Sequence, residues 1–322
     1  MQPRKNHRRR GMTLIELMVV VLILGLLSVA VLPNLANTGD ARKVREAARS
    51  LSSFIASAQS QAIGSRTASG IWIDPLSNQM GASWISLDIA MTEVPAPYAG
   101  DTTTAGIESL TPPAGTLLGQ SSSATPVFTG GFNLPAPPSP AYQIRLAGSA
   151  VWFDFYPSLP QPIQMRTSIN QTPQNTTWPT TTTSSPIGYE IVAAPVRSNS
   201  TSLTFGDGVA IDLTNSFIGT SPILNSGTPP PPPRILFDAS GRPSFLINDA
   251  AATRIPMSET VFLLVSSIES IQSGTSLTEP GSYWIAIDPR GGVPKVAEVK
   301  PQGLTIRDSQ EYIRKGLLQT GR

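Results

Sequence analysis

Between Met12 and Leu35 the chain carries one charged residue, Glu16, and from Leu17 to Leu32 the only polar side chain is Ser28. No other stretch restricts the fold as much. As a helix the run would span about 36 Å at ~1.5 Å per residue, enough to cross a ~30 Å hydrocarbon core. Arg4, Lys5, Arg8, Arg9 and Arg10 stand just before it. The positive-inside rule keeps such a cluster cytoplasmic and sends everything after Leu35 across. Glu16 does not fit a plain anchor, because an ionised side chain in hydrocarbon costs roughly 2.5–3.5 kcal/mol even on a lenient scale.

Three readings account for the segment to different extents. A cleaved secretory signal wants a shorter apolar core followed by a small-residue cleavage site, for which "SVAVLPNLA" is a weak match. An uncleaved anchor explains the length and the arginines but leaves Gly11 and Glu16 without a role. The third reading rests on "GMTLIEL", Gly11 to Leu17. This stretch resembles the class III signal of type IV pilins and type II secretion pseudopilins, pattern G-[FM]-T-L-x-E-L, with Met12 where phenylalanine is commoner. The resemblance implies that a prepilin peptidase cuts after Gly11 and methylates the new N-terminus, Met12. It makes Glu16 the fifth mature residue, and it gives Gly25 and Pro33 the place of a helix-weakening glycine and proline. It also implies that Glu16 meets the Met12 amine of a neighbouring subunit. Each charge then has a partner in a low-dielectric bundle, and one axial register is favoured.

Beyond the apolar run, Val44, Ala48, Leu51, Ile55, Ala58 and Ala62 recur at steps of three and four, one stripe on a helix. Arg42, Lys43, Arg45, Glu46 and Arg49 fall largely on other faces. Asp40 is placed to cap a restart after "NTG", and Gly64 to end the helix. The expected organisation is a cleaved leader over 1–11, a transmembrane and filament-core helix over 12–35, and the amphipathic half of that helix over 36–64. A β-rich periplasmic head over 65–322 follows. The fold class is α+β, with the second half of a long N-terminal pilin helix packed on an antiparallel sheet.

In the head, short apolar runs alternate with turn residues. "GIWIDPLSN", "RILFDASGRPSFLI" and "YWIAIDPRGGVPKVAEV" each read as a strand, then Asp, then a turn. Asp74, Asp238 and Asp288 are therefore expected to cap turns rather than bind a metal. Further strands are expected at Trp84–Ile89, Ala141–Leu146, Val151–Phe155, Tyr189–Ala193, Leu203–Phe205, Val209–Asp212 and Val261–Ser266. "FGDGVAID" lacks the ligand spacing of a calcium loop. "SETVFLLVSSIESI" fits a buried strand or a short helix equally. Pro/Thr/Ser-rich loops near 96–140, 161–186 and 225–233 lack the apolar content to pack and are expected as disordered insertions. The last segment, "SQEYIRKGLLQTGR", reads as a short surface helix. Helix, hairpins, "FDxSGRP" and a final strand pair, in that order, resemble H-type minor pseudopilins.

The chemistry on offer is sparse. The 322 residues include no cysteine and one histidine, His7, inside the leader. Disulfides, thiolate metal sites and histidine-based catalysis are excluded from a processed chain. The formal charge of +2 belongs to the leader: without its five basic residues, 18 bases face 21 acids, a net −3. A nucleic-acid-binding head is not expected, and Arg314, Lys315 and Arg322 are a thin basis for one. No enzyme, cofactor or metal is expected. The resemblance implies a structural minor pseudopilin of type II secretion, with prepilin peptidase, other pseudopilins, the inner membrane and a secreted cargo as partners. A minor subunit of a type IV pilus, for adhesion or DNA uptake, is the competing reading. An enzyme on a pilin-like anchor is the third.

Overall fold

The computed structural model describes residues 14–77, 83–111, 123–130, 142–148, 152–156, 164–167, 186–206, 208–224, 229–248, 254–300 and 305–319. Helix α1 (Leu14–Ser65) comes first. Next come β1 (Ser69–Ile73), β2 (Leu76–Ser77), β3 (Trp84–Ser86), β4 (Asp88–Glu93), β5 (Gly106–Thr111) and β6 (Ser123–Thr129). The middle of the chain supplies β7 (Tyr142–Leu146), β8 (Trp152–Tyr156), β9 (Gln164–Thr167), β10 (Tyr189–Ala193), β11 (Val196–Thr204), β12 (Val209–Ile218) and β13 (Ser221–Pro222). Then follow β14 (Arg234–Phe237), β15 (Pro243–Ile247), β16 (Ile255–Pro256), β17 (Val261–Ser267) and helix α2 (Ile268–Gln272). The chain ends with β18 (Tyr283–Ile287), β19 (Lys295–Glu298), α3 (Ile306–Ser309) and α4 (Glu311–Gln319).

These strands form three antiparallel sheets, ordered β11-β4-β1-β14-β15-β16, β19-β18-β17-β12-β3-β2 and β10-β7-β8-β9-β6-β5. The first two sheets and α1 share one core. All six residues of the α1 stripe, Val44 to Ala62, are at most 2% exposed. They meet Ile71 and Ile73 of β1, Ile235 and Phe237 of β14, Leu263 and Val265 of β17, and Ile285 and Ile287 of β18. The charged residues Arg42, Lys43, Arg45, Glu46 and Arg49 are exposed, as the periodicity requires. Asp40 lies inside α1, where its carboxylate accepts from Lys43 Nζ at 2.9 Å, so it does not cap a second helix.

The helix ends one residue past Gly64, and Arg66 turns the chain with φ +53°. A left-handed residue at this position is usually glycine, because a side chain there costs roughly 1–2 kcal/mol. Arg66→Gly should raise the stability of the head by about 0.5–1 kcal/mol, part of the relief being lost to the entropy of the unfolded chain. Urea denaturation checks this. Gly70 has the opposite requirement. A Cβ there would lie 2.1 Å from the Ile235 carbonyl oxygen, backbone that cannot swing aside. Gly70→Ala should therefore push β1 off β14, destabilising by about 3 kcal/mol, the upper end of overpacking costs; the same titration reads it.

Several expected hairpins are arranged differently. β14–β15 and β18–β19 do pair across their turns. β1 and β2 do not: β1 lies between β4 and β14, whereas β2 pairs β3 in the other sheet. Likewise the run expected as one strand over Trp84–Ile89 breaks at Leu87, with β3 on β12 and β4 on β1. Alternation in sequence marks extended backbone but not the sheet it joins. "SETVFLLVSSIESI" is both a strand and a helix: β17 runs directly into α2, with Ser267 Oγ accepting from the Ser270 amide.

The Pro/Thr/Ser-rich segments are not merely insertions. Residues 96–140 contain β5 and β6, and residues 161–186 contain β9. With β7, β8 and β10 they build the third sheet around Ile107, Tyr142, Ile144, Leu146, Phe153, Phe155, Tyr189 and Ile191. Its two ends are tied by reciprocal amide–carbonyl bonds between Ile107 and Ile187, 2.8 and 3.0 Å long. Of the buried residues only Ile107 comes from these polar segments, and β7, β8 and β10 supply the rest. In the proline run, Pro233 is buried and its carbonyl accepts from the Ile73 amide at 3.0 Å.

The C-terminal helix is not a surface element. The second sheet is buried on both faces: Val261, Leu263 and Val265 face the α1 core, while Phe262 and Leu264 join Trp284, Ala286, Val299 and Ile313 of α4. Trp284 Nε1 donates to the Ser309 carbonyl at 3.1 Å. Lys300 and Lys315 both pair with Glu311, and their hydrogen bonds hold its carboxyl down at about 2, from an ordinary 4.5. A depressed carboxyl stabilises the fold above its unfolded value and loses that contribution as pH falls through the folded one. Thermal melts between pH 5 and 2 should therefore show the wild type losing stability more steeply than Glu311→Gln; parallel curves would refute this.

Candidate assembly interface

The expected site residues fall on the first part of α1 and its approach. Gly11 and Met12 lie outside the described residues. Glu16 sits in the first turn of α1. Gly25 is on the same helix, and a Cβ built there meets no atom within 4 Å. Pro33 is also within α1, its side chain outside the described set. The structure thus places Glu16, Gly25 and Pro33 on one helix.

Every residue from Leu14 to Leu26 is exposed. The large apolar side chains among them are 40–79% open, Val20 least and Leu14 most. A helix stretch that is apolar nearly all round and covered by nothing among the described residues is suited to contact with lipid or other subunits. Among the described residues, no helix is long and apolar enough to cross a membrane. The side chains of 27–39 fall outside the described set, so the expected span from Met12 to Leu35 is described only in part.

How this surface is held to the head is specific. Arg45 Nε donates to Tyr283 Oη at 2.8 Å, and that bond is the main reason its pKa rises. Ser52 Oγ donates to the Pro294 carbonyl at 3.2 Å, and Gln59 Nε2 to the Gly292 carbonyl at 3.1 Å. These three contacts follow α1 along β18 and into the β18–β19 turn. They add directional contacts to the apolar seating of the helix. Sequence reasoning missed them because each joins residues more than two hundred positions apart.

The three turn aspartates divide. Asp238 Oδ1 accepts from the Ser240 amide, the Ser240 hydroxyl and the Arg242 amide, at 2.8, 2.6 and 3.1 Å. Burial opposes its ionisation, but these bonds outweigh burial and hold the carboxyl below its ordinary value. Asp288 Oδ1 accepts from the Arg290 amide at 2.9 Å. Both cap turns. Asp74 does not: it takes Trp72 Nε1 at 2.6 Å and Arg197 Nε at 2.8 Å, while the same guanidinium reaches Asp88 at 2.7 Å. The Arg197 bridge ties β11 to the ends of β1 and β4. Asp212, buried in β12, is occupied by Asn215 and Ser276 at a bulge. Among the described residues no three His, Cys, Asp or Glu side chains converge as a metal site.

No curated protein and no solved structure matches the chain. Residues 6–32 match the family model described as the prokaryotic N-terminal methylation motif. That motif is the mark of type IV pilin-like proteins, of pilus or pseudopilus, and implies processing by a prepilin peptidase and assembly with other pilin-like subunits.

Proposed function

We propose that the protein is a minor pseudopilin of a type II secretion system, a structural subunit with no catalytic activity of its own. The observation that carries this reading is the division of α1. One half carries the methylation motif, with an apolar surface over Leu14–Leu26 that is exposed among the described residues, and the other is seated on two sheets. Gly11 is the residue before the cut, Met12 the methylated N-terminus, and Glu16 the partner of a neighbour's amine. Before assembly the chain spans the inner membrane once, with the leader cytoplasmic and the head periplasmic. It then leaves the bilayer for the pseudopilus. The lone histidine in the leader and the absence of cysteine support a non-enzymatic role.

Intact mass spectrometry of the membrane form tests the processing: loss of Met1–Gly11 and gain of one methyl group is expected, and an uncut N-terminus overturns it. Glu16→Ala should leave membrane insertion intact while reducing co-purification with other pilin-like subunits at least tenfold. Unchanged recovery would remove Glu16 from assembly. The type IV pilus alternative draws on a basic tail for DNA, and Lys315 of that tail already pairs with Glu311. Neighbouring genes separate the two systems: a retraction ATPase beside this gene selects a pilus, a secretion ATPase the pseudopilus.

A further inference from the structure

Three arginines from separate elements meet at one cleft of about 520 Å³: Arg290 in the β18–β19 turn, Arg307 in α3 and Arg314 in α4. The turn that carries Arg290 also receives Gln59, near the C-terminal end of α1, through Gly292. The cleft therefore lies at the end of the head away from the apolar half of α1.

Arg314 is fixed before any ligand arrives. Its guanidinium stacks on Phe262, donates to Gln310 Oε1 at 2.6 and 3.0 Å, and reaches the Gly219 carbonyl at 3.4 Å. All of these partners are neutral, so its charge is held in place but not cancelled. Burial, and then the neighbouring Arg307, lower its pKa. Arg290 and Arg307 are exposed, and among the described residues neither guanidinium makes an ion pair. Glu259 and Asp288 also line the cleft, yet no ion pair joins them to the three arginines. Asp288 is already occupied by the Arg290 amide. Guanidinium groups that stand unneutralised around a cavity are suited to bidentate binding of oxyanions.

We infer that this cleft binds a carboxylate-rich polypeptide segment, at the pole of the head opposite the assembly helix. Its volume exceeds that of a single small anion, and the Ser258, Thr220 and Thr260 side chains around it offer hydroxyls to a peptide backbone. A nucleic acid suits it less well. A strand carries a charge about every 3.4 Å and would bring phosphates against Glu259 and Asp288, whereas peptide carboxylates can be spaced to avoid them.

The test uses the full chain in detergent micelles at low salt and a fluorescein-labelled peptide of three Glu-Ser-Ser repeats, whose carboxylates stand about 10 Å apart when extended, read by anisotropy. Saturable binding is expected, weakened at least tenfold in R290Q/R307Q and unchanged in R49Q, a control on the exposed face of α1. The single variants R290Q and R307Q, each expected to bind about threefold more weakly, carry the same test should the double variant fold poorly. Absence of saturable binding overturns the inference, as does equal affinity in wild type and variants. Displacement of the peptide by millimolar inorganic phosphate would make this a small-anion site and overturns it too. Tighter binding of an oligothymidylate than of the peptide would assign the cleft to nucleic acid instead. None of these outcomes depends on whether Gly11 is cut or Glu16 drives assembly.

Discussion

Trp284→Ala is expected to destabilise the head by about 3–5 kcal/mol, the range for truncating a buried aromatic. Trp284 is fully buried in β18, on the face of the second sheet that α4 covers. Removing its ring leaves a cavity among Phe262, Leu264 and Ile313, and it removes the donor that Ser309 receives at 3.1 Å. The two contributions can be separated. Trp284→Phe keeps most of the apolar burial and loses the Nε1–H bond, so it should cost only about 1–2 kcal/mol. Denaturant titration of both variants distinguishes this account from one in which the C-terminal helices are a detachable surface element. In that case Trp284→Ala would resemble a surface substitution, within ±0.5 kcal/mol. The result also bears on any experiment that truncates the tail. Deleting residues beyond Asp308 uncovers Phe262 and Trp284, so a lost activity would report unfolding rather than a lost basic patch.

Leu51→Ala is expected to destabilise the head by about 2–5 kcal/mol, while Arg49→Ala two residues away changes stability by less than about 0.5 kcal/mol. Leu51 is fully buried at the middle of the α1 stripe, in the core that the first two sheets share. Arg49 is exposed on the opposite side. The contrast shows whether α1 is part of the head's core or a tether lying against it. A tether predicts small changes at both positions. Because α1 also carries Glu16 and the apolar surface, its seating determines how rigidly the assembly helix is joined to the head. Leu51→Ala should therefore lower co-purification with other subunits as well, whereas Arg49→Ala should not.

The sequence by itself determined what is local and periodic. The methylation motif was legible because it is contiguous in the chain, within residues 6–32, and is read without any distant partner. The α1 stripe was legible because a helix repeats every 3.6 residues, so six apolar positions define a face whatever they pack on. The turns at Asp238 and Asp288 were legible because an Asp side chain caps amides within four residues of itself. Tertiary structure decided the rest. Asp74 has the same local pattern as Asp238, yet a guanidinium from β11 claims it. Trp84–Ile89 reads as one strand, yet it serves two sheets. Within the polar segments near 96–140 and 161–186, β5, β6 and β9 complete a sheet most of whose buried apolar residues lie in β7, β8 and β10. Ile313 marks a helix in sequence, but only the position of Phe262 and Trp284 makes that helix a cover for the sheet. Hydrogen bonds and side-chain spacing within a turn or a helix depend on neighbours along the chain. Strand partnership, ion pairing and burial of a second face depend on residues a hundred or more positions away, for which one sequence carries no local signal.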